Sequence, residues 1–319
     1  MESIGDKSVD AAAMSEVGRQ GRHRETGTLA RQQERLGWFL VLPCLIVVGV
    51  VALYPLFETF RLSFTNTRLA SPREPRYVGW ENYRDTLQDD KFWNAMQNTV
   101  IFTVSSVGLE TLLGMVIALV IHSNFKGRGI VRTSMLVPWA IPTVVSSLLW
   151  QWMFNDRYGV INSILKQLGF MDEGTFFAWN ENPSTALGAA IAVDVWKTTP
   201  FMALLLLAGL QVIPSDVYEA AYVDGASKIQ QFFNMTLPLL KPALLVALIF
   251  RTLDAFRVFD LLYVMNGYNP DTMSIAVYTQ QMLIGAQRIG EGSAPAVIIF
   301  LCVGVLAFIY TRLIRVEDA

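Results

Sequence analysis

The chain has 319 residues, of which 53% are hydrophobic and 16% are charged. A soluble domain usually has roughly 25% charged residues, so this chain has too little polar surface for a water-soluble fold. Its formal net charge of −2 gives no excess of basic groups for a phosphate backbone, so we predict no nucleic-acid partner. Both cysteines lie inside apolar runs and only two histidines are present, which predicts no disulfide framework and no metal site.

The amino-terminal segment is polar and rich in arginine. It is too long and too polar for the basic region of a signal peptide, so the first apolar segment is expected to stay in the protein. Its glycine, serine, arginine and glutamate residues show no apolar spacing, which is typical of disorder. We predict that residues 1–35 form a disordered cytoplasmic tail, and we assign it no binding role.

The apolar residues are gathered into six blocks, each near the ~20 residues that a helix needs to cross a bilayer. The third block is short and contains Pro138 and Pro142, and a five-span alternative would omit it. The predicted spans are 36–56, 100–121, 135–152, 186–209, 242–264 and 294–314.

Basic residues outside the spans predict the orientation of the chain. Lys126, Arg128 and Arg132 lie in a short loop without acidic residues between the second and third spans. Because short loops rich in Lys and Arg usually stay in the cytoplasm, we predict a cytoplasmic amino terminus. Residues 211–241, between spans four and five, then face the cytoplasm as well.

Ionisable residues inside the predicted spans indicate a polar path or pairing between helices. Glu110 stands alone in span two and fits a protonated or capped helix contact as well as a substrate ligand. Span four contains Asp194 and Lys197. For the charged residues of span four, and for those of span five, structural pairs between helices are the alternative to a water-filled path. Span five contains a row of alternating sign at steps of three residues, formed by Arg251, Asp254, Arg257 and Asp260.

Residues 214–238 are too polar to span a membrane and too patterned to be a linker. Asp216 and Glu219, three residues apart, predict a helix start with a reciprocal cap. Gly225 is placed for a left-handed turn, and residues 228–237 predict a second helix that Pro238 would stop. The pattern therefore predicts two short helices at an angle.

The first of these helices has a face that another protein could approach closely. Ala220 and Ala221 are small, and Glu219 beside them is available to pair with an arginine of a partner. An interfacial hairpin that covers the mouth of the helix bundle is the alternative interpretation.

The same loop resembles the EAA loop of ATP-binding-cassette (ABC) importer permeases. The shared pattern is Glu219-Ala220-Ala221, then Gly225, then Leu237-Pro238, with Met235 where the family usually has isoleucine. From about residue 36 to the end, the chain is similar to sugar permeases related to the maltose permease subunits. Residues 196–202 and 251–257 look most like trehalose permease subunits. The other matching residues are Tyr77-Val78-Gly79, Glu81-Asn82-Tyr83, Pro138, Trp150, Trp152, Phe154, Gly159, Asn162, Phe259-Asp260, Gly267 and Pro270.

The resemblance implies an all-α integral membrane protein, a six-span permease bundle with a cytoplasmic coupling-helix loop. It also implies a complex in a bacterial or archaeal inner membrane, with a second permease, two cytoplasmic ABC ATPases, an extracytoplasmic sugar-binding protein and surrounding lipid. The chain has no GxxxxGK[ST] phosphate loop. We therefore expect no enzyme activity and no cofactor in this chain, and expect the ATPases to bind ATP and magnesium. The residues expected to contact the ATPase are Glu219, Ala220, Ala221, Asp224 and Gly225.

The implied cargo is a sugar, with a disaccharide such as trehalose or maltose favoured. A transient sugar site needs hydrogen-bonding side chains beside aromatic rings. Gln151 and Asn155 lie among such rings at the outer end of span three, although Trp150 and Trp152 also fit an interfacial aromatic belt. The predicted path or gate comprises Gln151, Asn155, Asp194, Lys197, Arg251, Asp254, Arg257 and Asp260.

Two other classes of function fit parts of the sequence. An ion-coupled secondary carrier for a small polar solute would also bury charged residues, but it is expected to contain internal repeats, and the sequence shows none. A membrane enzyme would need a clustered catalytic set, and neither histidine lies in one. Dependence of transport on ATP would distinguish an importer from both.

Overall fold

The computed structural model describes residues 30–69, 71, 74–172 and 174–317. Over these ranges the chain is helical, and an isolated antiparallel bridge joins Thr65 and Tyr77. Most of the predicted tail lies outside the described residues. Its last part, residues 30–35, belongs to the first helix, because this segment contains mainly strong helix formers such as alanine, arginine and glutamine.

The described helices follow one another along the chain with short connections. In chain order they are α1 (Ala30–Leu62), α2 (Glu81–Gln88), α3 (Asp90–His122), α4 (Arg128–Met135), α5 (Val137–Ala140), α6 (Thr143–Met153), α7 (Val160–Gln167), α8 (Pro183–Leu210), α9 (Ser215–Val223), α10 (Lys228–Phe256), α11 (Asp260–Asn266), α12 (Ile275–Gln280) and α13 (Ile289–Glu317).

Five of these helices, namely α1, α3, α8, α10 and α13, are long and apolar enough to cross a membrane. A sixth candidate is a helix pair, 128–140 with 143–153, that is bent by 89°. The all-helical prediction is confirmed, and the predicted count of six spans holds when the bent pair is taken as one span.

The bend lies where the sequence places Pro142. Ile141 and Pro142 have extended backbone, with ψ of 133° and 140°, between α5 and α6. A proline disfavours helical geometry in the residue before it, which explains why the helix stops after Ala140. The third predicted span is therefore a broken helix.

The chain divides into two compact units, one ending at Thr59 and one beginning at Phe60. In the first unit, α1 exposes its apolar side chains, with Phe39 at 74% and Val51 at 69%. A helix with apolar side chains on all sides is suited to hydrocarbon.

The core of the second unit contains residues of α11 and α12 as well as of the three long helices α3, α8 and α10. Glycines bring these helices close together: a Cβ at Gly114 of α3 would lie 2.8 Å from the Cγ of Met202 on α8. A Cβ at Gly209 of α8 would lie 2.5 Å from the Cβ of Ala243 on α10. Both distances are too short for any side chain, so these contacts require glycine.

The fifth span differs from its predicted bounds of 242–264. Helix α10 begins at Lys228, runs through Pro238 and ends at Phe256. Pro238 follows a π-helical turn, Phe232–Thr236. Proline has no backbone N–H to donate, and the π-helical turn changes the hydrogen-bond pattern of the helix at this point, so the helix continues. The prediction that Pro238 stops the helix was wrong, and the second helix of the loop is the start of the span itself.

Candidate functional site

Arg251 is the centre of a buried ionic cluster within the helix bundle. Its side chain is 4% exposed. Nε donates to Oε2 of Glu110 at 2.5 Å, and Nη2 donates to Oε1 of the same carboxylate at 2.9 Å. Nη2 also donates to Oδ2 of Asp194, and Nη1 donates to Oδ2 of Asp254 at 3.2 Å. One arginine of α10 thus links α3 and α8 through their carboxylates.

Glu110 is fully buried on α3 and has a further partner on α8. The hydroxyl of Thr198 donates to its Oε1 at 2.6 Å. Three charge-assisted or neutral hydrogen bonds therefore reach this carboxylate, which is how a carboxylate is tolerated away from water. Glu110 was alone in its sequence window because its cationic partner is 141 residues away along the chain.

Lys197 lies beside the cluster and is directed toward the bent helix. Its Nζ donates to the backbone oxygens of Ile141 at 2.9 Å and of Trp139 at 3.4 Å. These carbonyls belong to the break between α5 and α6, where helical hydrogen bonds are interrupted. The side chain is 7% exposed, so it satisfies backbone groups that water would otherwise have to reach.

The charged row predicted for span five is divided by the structure. Arg251 and Asp254 lie on α10, Arg257 follows its end, and Asp260 begins α11. Arg257 and Asp254 are paired at 3.7 Å, with side chains 67% and 63% exposed. The four residues therefore do not form one continuous buried row, because the helix ends at Phe256 and only Arg251 among them is buried.

Gln151 and Asn155 lie away from the ionic cluster and line a cavity of about 710 Å³. Gln151 Nε2 donates to the backbone oxygen of Met265 at 3.1 Å, which ties α6 to α11. Asn155 Oδ1 accepts hydrogen bonds from the backbone N–H groups of Arg157 and Tyr158, at 3.0 and 3.2 Å. Both amide side chains therefore line the cavity and also hold the backbone of its wall in place.

The loop between α8 and α10 contains a hydrogen-bonded turn at the end of α9. The N–H of Ala226 donates to the carbonyl of Ala221 at 2.9 Å, and that of Gly225 donates to Tyr222 at 3.0 Å, which is a Schellman motif. Gly225 has φ of +79°, so the predicted left-handed turn is confirmed.

The reciprocal cap occurs in this loop, but at a different place from the prediction. Helix α9 begins at Ser215 after Pro214, so Asp216 is inside the first turn and does not cap it. The capping box joins Ser227 and Gln230 at the start of α10 instead. Proline at the N-cap has no side-chain acceptor, whereas Ser227 has one in the right position.

Side chains of the loop are largely exposed. Glu219, Ala220 and Asp224 are exposed, whereas Ala221 is buried, so the small face predicted for both alanines is presented by Ala220 alone. Apolar side chains accompany them, with Tyr222 78% and Val223 84% exposed. Neighbouring apolar side chains that are exposed together are typical of a surface that contacts a partner.

Comparison with known proteins places this architecture in a family. The model of the binding-protein-dependent transport system inner membrane component matches residues 110–318. The chain belongs to this family. It is thus a permease component of an ABC importer in the inner membrane, and the resemblance of the chain to ABC importer permeases is confirmed.

Relatives of this permease are similar over nearly their whole length. The trehalose/maltose transport system permease protein MalF of Thermococcus litoralis is 42% identical, covering 91% of this chain and 97% of that protein. The trehalose transport system permease protein SugA of Mycobacterium tuberculosis is 39% identical, covering 88% and 89%. The sulfoquinovosyl glycerol transport system permease protein SmoG of Agrobacterium fabrum is 40% identical, covering 89% and 91%.

The permease fold also matches a solved structure. A chain of a bacterial ABC transporter that imports the acidic polysaccharide alginate aligns with a TM-score of 0.77 and 21% identity. The alignment covers 89% of this permease and 96% of that chain. This likeness confirms the fold of a multi-pass ABC permease.

Sequence reasoning missed some residues of the permease that the structure brings into these sites. Thr198 belongs to the ionic cluster, where it contacts Glu110, a residue that the sequence singled out without a partner. Asn180 and Asn266 line the cavity beside Gln151. A glutamate in an apolar window is a signal for a buried partner, and it could have suggested Arg251. The two asparagines lie in connecting segments and had no such signal.

Proposed function

We propose that this permease carries a disaccharide such as trehalose or maltose into the cell, driven by ATP hydrolysis on partner subunits. The observation that supports this substrate best is the 42% identity to a trehalose/maltose permease over 91% of the chain. A second permease, two cytoplasmic ABC ATPases and an extracytoplasmic binding protein complete the proposed assembly. ATP and magnesium belong to the ATPases in this proposal.

The exposed loop around α9 is the proposed contact with the ATPase, with Glu219, Ala220, Ala221, Asp224 and Gly225 as its residues. Glu219 is exposed for an ion pair, and the Schellman turn at Gly225, closed by two backbone hydrogen bonds, links α9 to α10. Because α10 continues from this loop into the bundle without interruption, movement of the loop would be transmitted to the span that carries Arg251.

Glu219→Lys tests this contact by reversing one charge. We expect the variant to insert and to bind the second permease, but to lose most sugar-stimulated ATP turnover. Asp216→Lys, one turn earlier on the same helix, is the matched control for the added charge. Equal loss in both variants would indicate a general charge effect instead of a contact at Glu219.

The ionic cluster is the proposed gate or path through the bundle. Asp254 is shared between the buried Arg251 at 3.2 Å and the exposed Arg257 at 3.7 Å. A sugar hydroxyl could replace one of these partners without leaving a charge alone. Asp194 and Lys197 are the proposed support of this gate on α8, and Asp260, at the start of α11, is the proposed outermost acidic group.

The proposed orientation has the amino terminus in the cytoplasm. Helix α8 has 28 residues and a length of about 42 Å at about 1.5 Å per residue, so its two ends lie on opposite faces of a membrane. The α9 loop follows one end, and the cavity beside Gln151 includes residues just before the other. In this orientation the cavity faces the extracytoplasmic side.

Proteoliposomes that contain the whole assembly test the proposed function directly. We expect uptake of labelled trehalose that needs ATP inside, and that stops when the ATPase phosphate-loop lysine is replaced. Uptake that ignores ATP and follows a proton or sodium gradient would support an ion-coupled carrier and contradict the proposal.

A further inference from the structure

The cavity between α6, α11 and the segment before α8 has the size of a ligand site. Its volume is about 710 Å³. Sites for small molecules usually measure about 300–1,000 Å³, which accommodates a sugar of one or two rings. It is distinct from the ionic cluster: Glu110, Asp194 and Arg251 are not among its lining residues.

Two asparagines of the cavity wall have amide atoms that are buried and unsatisfied. Both Nδ2 and Oδ1 of Asn266, and Oδ1 of Asn180, have no hydrogen-bond partner among the described residues. Buried polar atoms are nearly always satisfied in native proteins. An asparagine amide offers donors and an acceptor together, and this combination matches sugar hydroxyls, which donate and accept.

A fixed aromatic wall stands beside these amides. The indole N–H of Trp179 donates to Oδ1 of Asn162 at 2.7 Å. Asn162 is itself held, because its Nδ2 donates to the backbone oxygens of Asp156 at 2.9 Å and Phe177 at 3.0 Å. The ring of Tyr263 is stacked on Phe259 at 5.3 Å. Rings held in place in this way present apolar faces at little entropic cost, which suits the C–H faces of a sugar ring.

The charges of the wall restrict the class of ligand. Asp156 and Glu181 line the cavity, and no lysine or arginine is found among its described lining residues. Carboxylates accept hydrogen bonds from neutral hydroxyls but repel an anion. The wall therefore favours a neutral sugar over a uronate or a sulfonated sugar.

We propose that this cavity is a binding subsite for a neutral saccharide, separate from the ionic cluster. When the sugar enters, the buried amides of Asn266 and Asn180 turn toward the cavity and hydrogen-bond its hydroxyls, and Trp179 provides the stacking surface. The subsite rests on the proposed function, because it assigns a place on the path where the sugar stops before it reaches Arg251.

Saturation-transfer NMR tests the subsite with trehalose as the probe. The whole permease–ATPase complex is placed in nanodiscs without the binding protein, so that transferred signal comes from the membrane subunits. We expect transfer to trehalose in the wild type and a loss of at least about tenfold in Asn266→Leu and in Asn180→Leu. Gln167→Leu, an exposed amide at the end of α7 outside the cavity, is the matched control and should keep the signal.

Two further comparisons make the outcome decisive. Asp85→Asn, at an exposed position of α2 outside both the cavity and the ionic cluster, should keep the transferred signal. A disaccharide that contains glucuronate should give no transfer in the wild type. Each variant is first checked for assembly and melting temperature. Two asparagine variants are used so that, if one misfolds, the other still tests the subsite.

The inference would be overturned by a wild-type complex that transports trehalose but shows no transfer, or by equal transfer in the wild type and both folded asparagine variants. Equal transfer to glucuronate would overturn its preference for neutral sugars. Failure of the proposed function is seen separately, as the absence of ATP-driven trehalose uptake by the wild type.

Discussion

The ionic cluster and the loop around α9 differ in whether their polar side chains find partners within the chain. In the cluster, Arg251 finds its partners within the chain and leaves 4% of its side chain exposed. In the loop, the backbone is satisfied by the turn at Gly225 and the cap at Ser227, while Glu219 and Tyr222 remain exposed. The cluster is complete by itself, and the loop has the form of a surface that a partner would complete.

This difference follows from the surroundings of the two regions. Within the bundle, an unpaired charge would meet a low dielectric and a large desolvation cost, so the charges must be paired inside the chain. At the end of the bundle, an exposed charge is solvated by water, so it needs no partner within the chain and is available to another protein. Substitutions should therefore change stability most in the cluster and coupling most in the loop.

The largest expected effect comes from breaking the cluster. Arg251→Met leaves Glu110 and Asp194 without their cation, and removal of one partner of a buried pair typically costs about 3–5 kcal/mol. We expect a large fall in the melting temperature and yield of the purified complex. The double variant with Glu110→Gln should recover part of this loss, because one uncompensated charge is removed with the cation.

Arg257→Met is the matched control for this prediction. Its side chain is 67% exposed, and exposed pairs contribute about 0–1 kcal/mol. If Arg251→Met were as stable as Arg257→Met, the cluster would not be a source of stability.

The next largest effect is expected at the bend of the third span. Lys197→Met removes the donor to the part-buried carbonyls of Ile141 and Trp139, which costs at most about 1–3 kcal/mol, the cost of a fully buried unsatisfied acceptor. The melting temperature should fall, and a cysteine placed at Thr143 should react faster with a maleimide because the bend loosens. Lys91→Met, at an exposed position of α3, should change neither measurement.

A smaller effect on stability, with a large effect on coupling, is expected in the loop. Gly225→Val forces a β-branched residue into φ of +79°, which costs about 1–2 kcal/mol. Sugar-stimulated ATP turnover should fall while insertion persists. Gly169→Val is the matched control, since Gly169 also has positive φ and open space around it. Normal stimulated turnover in Gly225→Val would contradict the coupling role.

The smallest effect on stability is expected for Asp254→Asn, because its side chain is 63% exposed. Assembly with the ATPases should be normal, and uptake of labelled sugar should be impaired if Asp254 belongs to the gate. Asp85→Asn on α2, also exposed, should transport normally. Full transport by an assembled Asp254→Asn complex would remove this residue from the gate.

Much of this protein follows from its sequence alone. Apolar blocks near the length of a bilayer predict the spans, and Gly225 predicts its own left-handed turn, because both depend on neighbouring residues. The Glu-Ala-Ala loop indicates the family, because its motif is also a pattern of neighbouring residues. The ends of the spans were less well predicted, since α10 begins 14 residues before the predicted start at 242 and ends at Phe256.

Tertiary structure decided what each polar residue contacts. Glu110 and Arg251 are 141 residues apart, and nothing local in either window relates them. Lys197, predicted with Asp194 as a pair, donates to carbonyls that are free only because a different helix breaks at Pro142. Asn180 and Asn266 share a cavity only through the packing of three segments. Local composition determines where a helix forms. The partner of a buried polar group depends on which helix faces pack together, because this packing excludes water and leaves only polar atoms of neighbouring helices as partners.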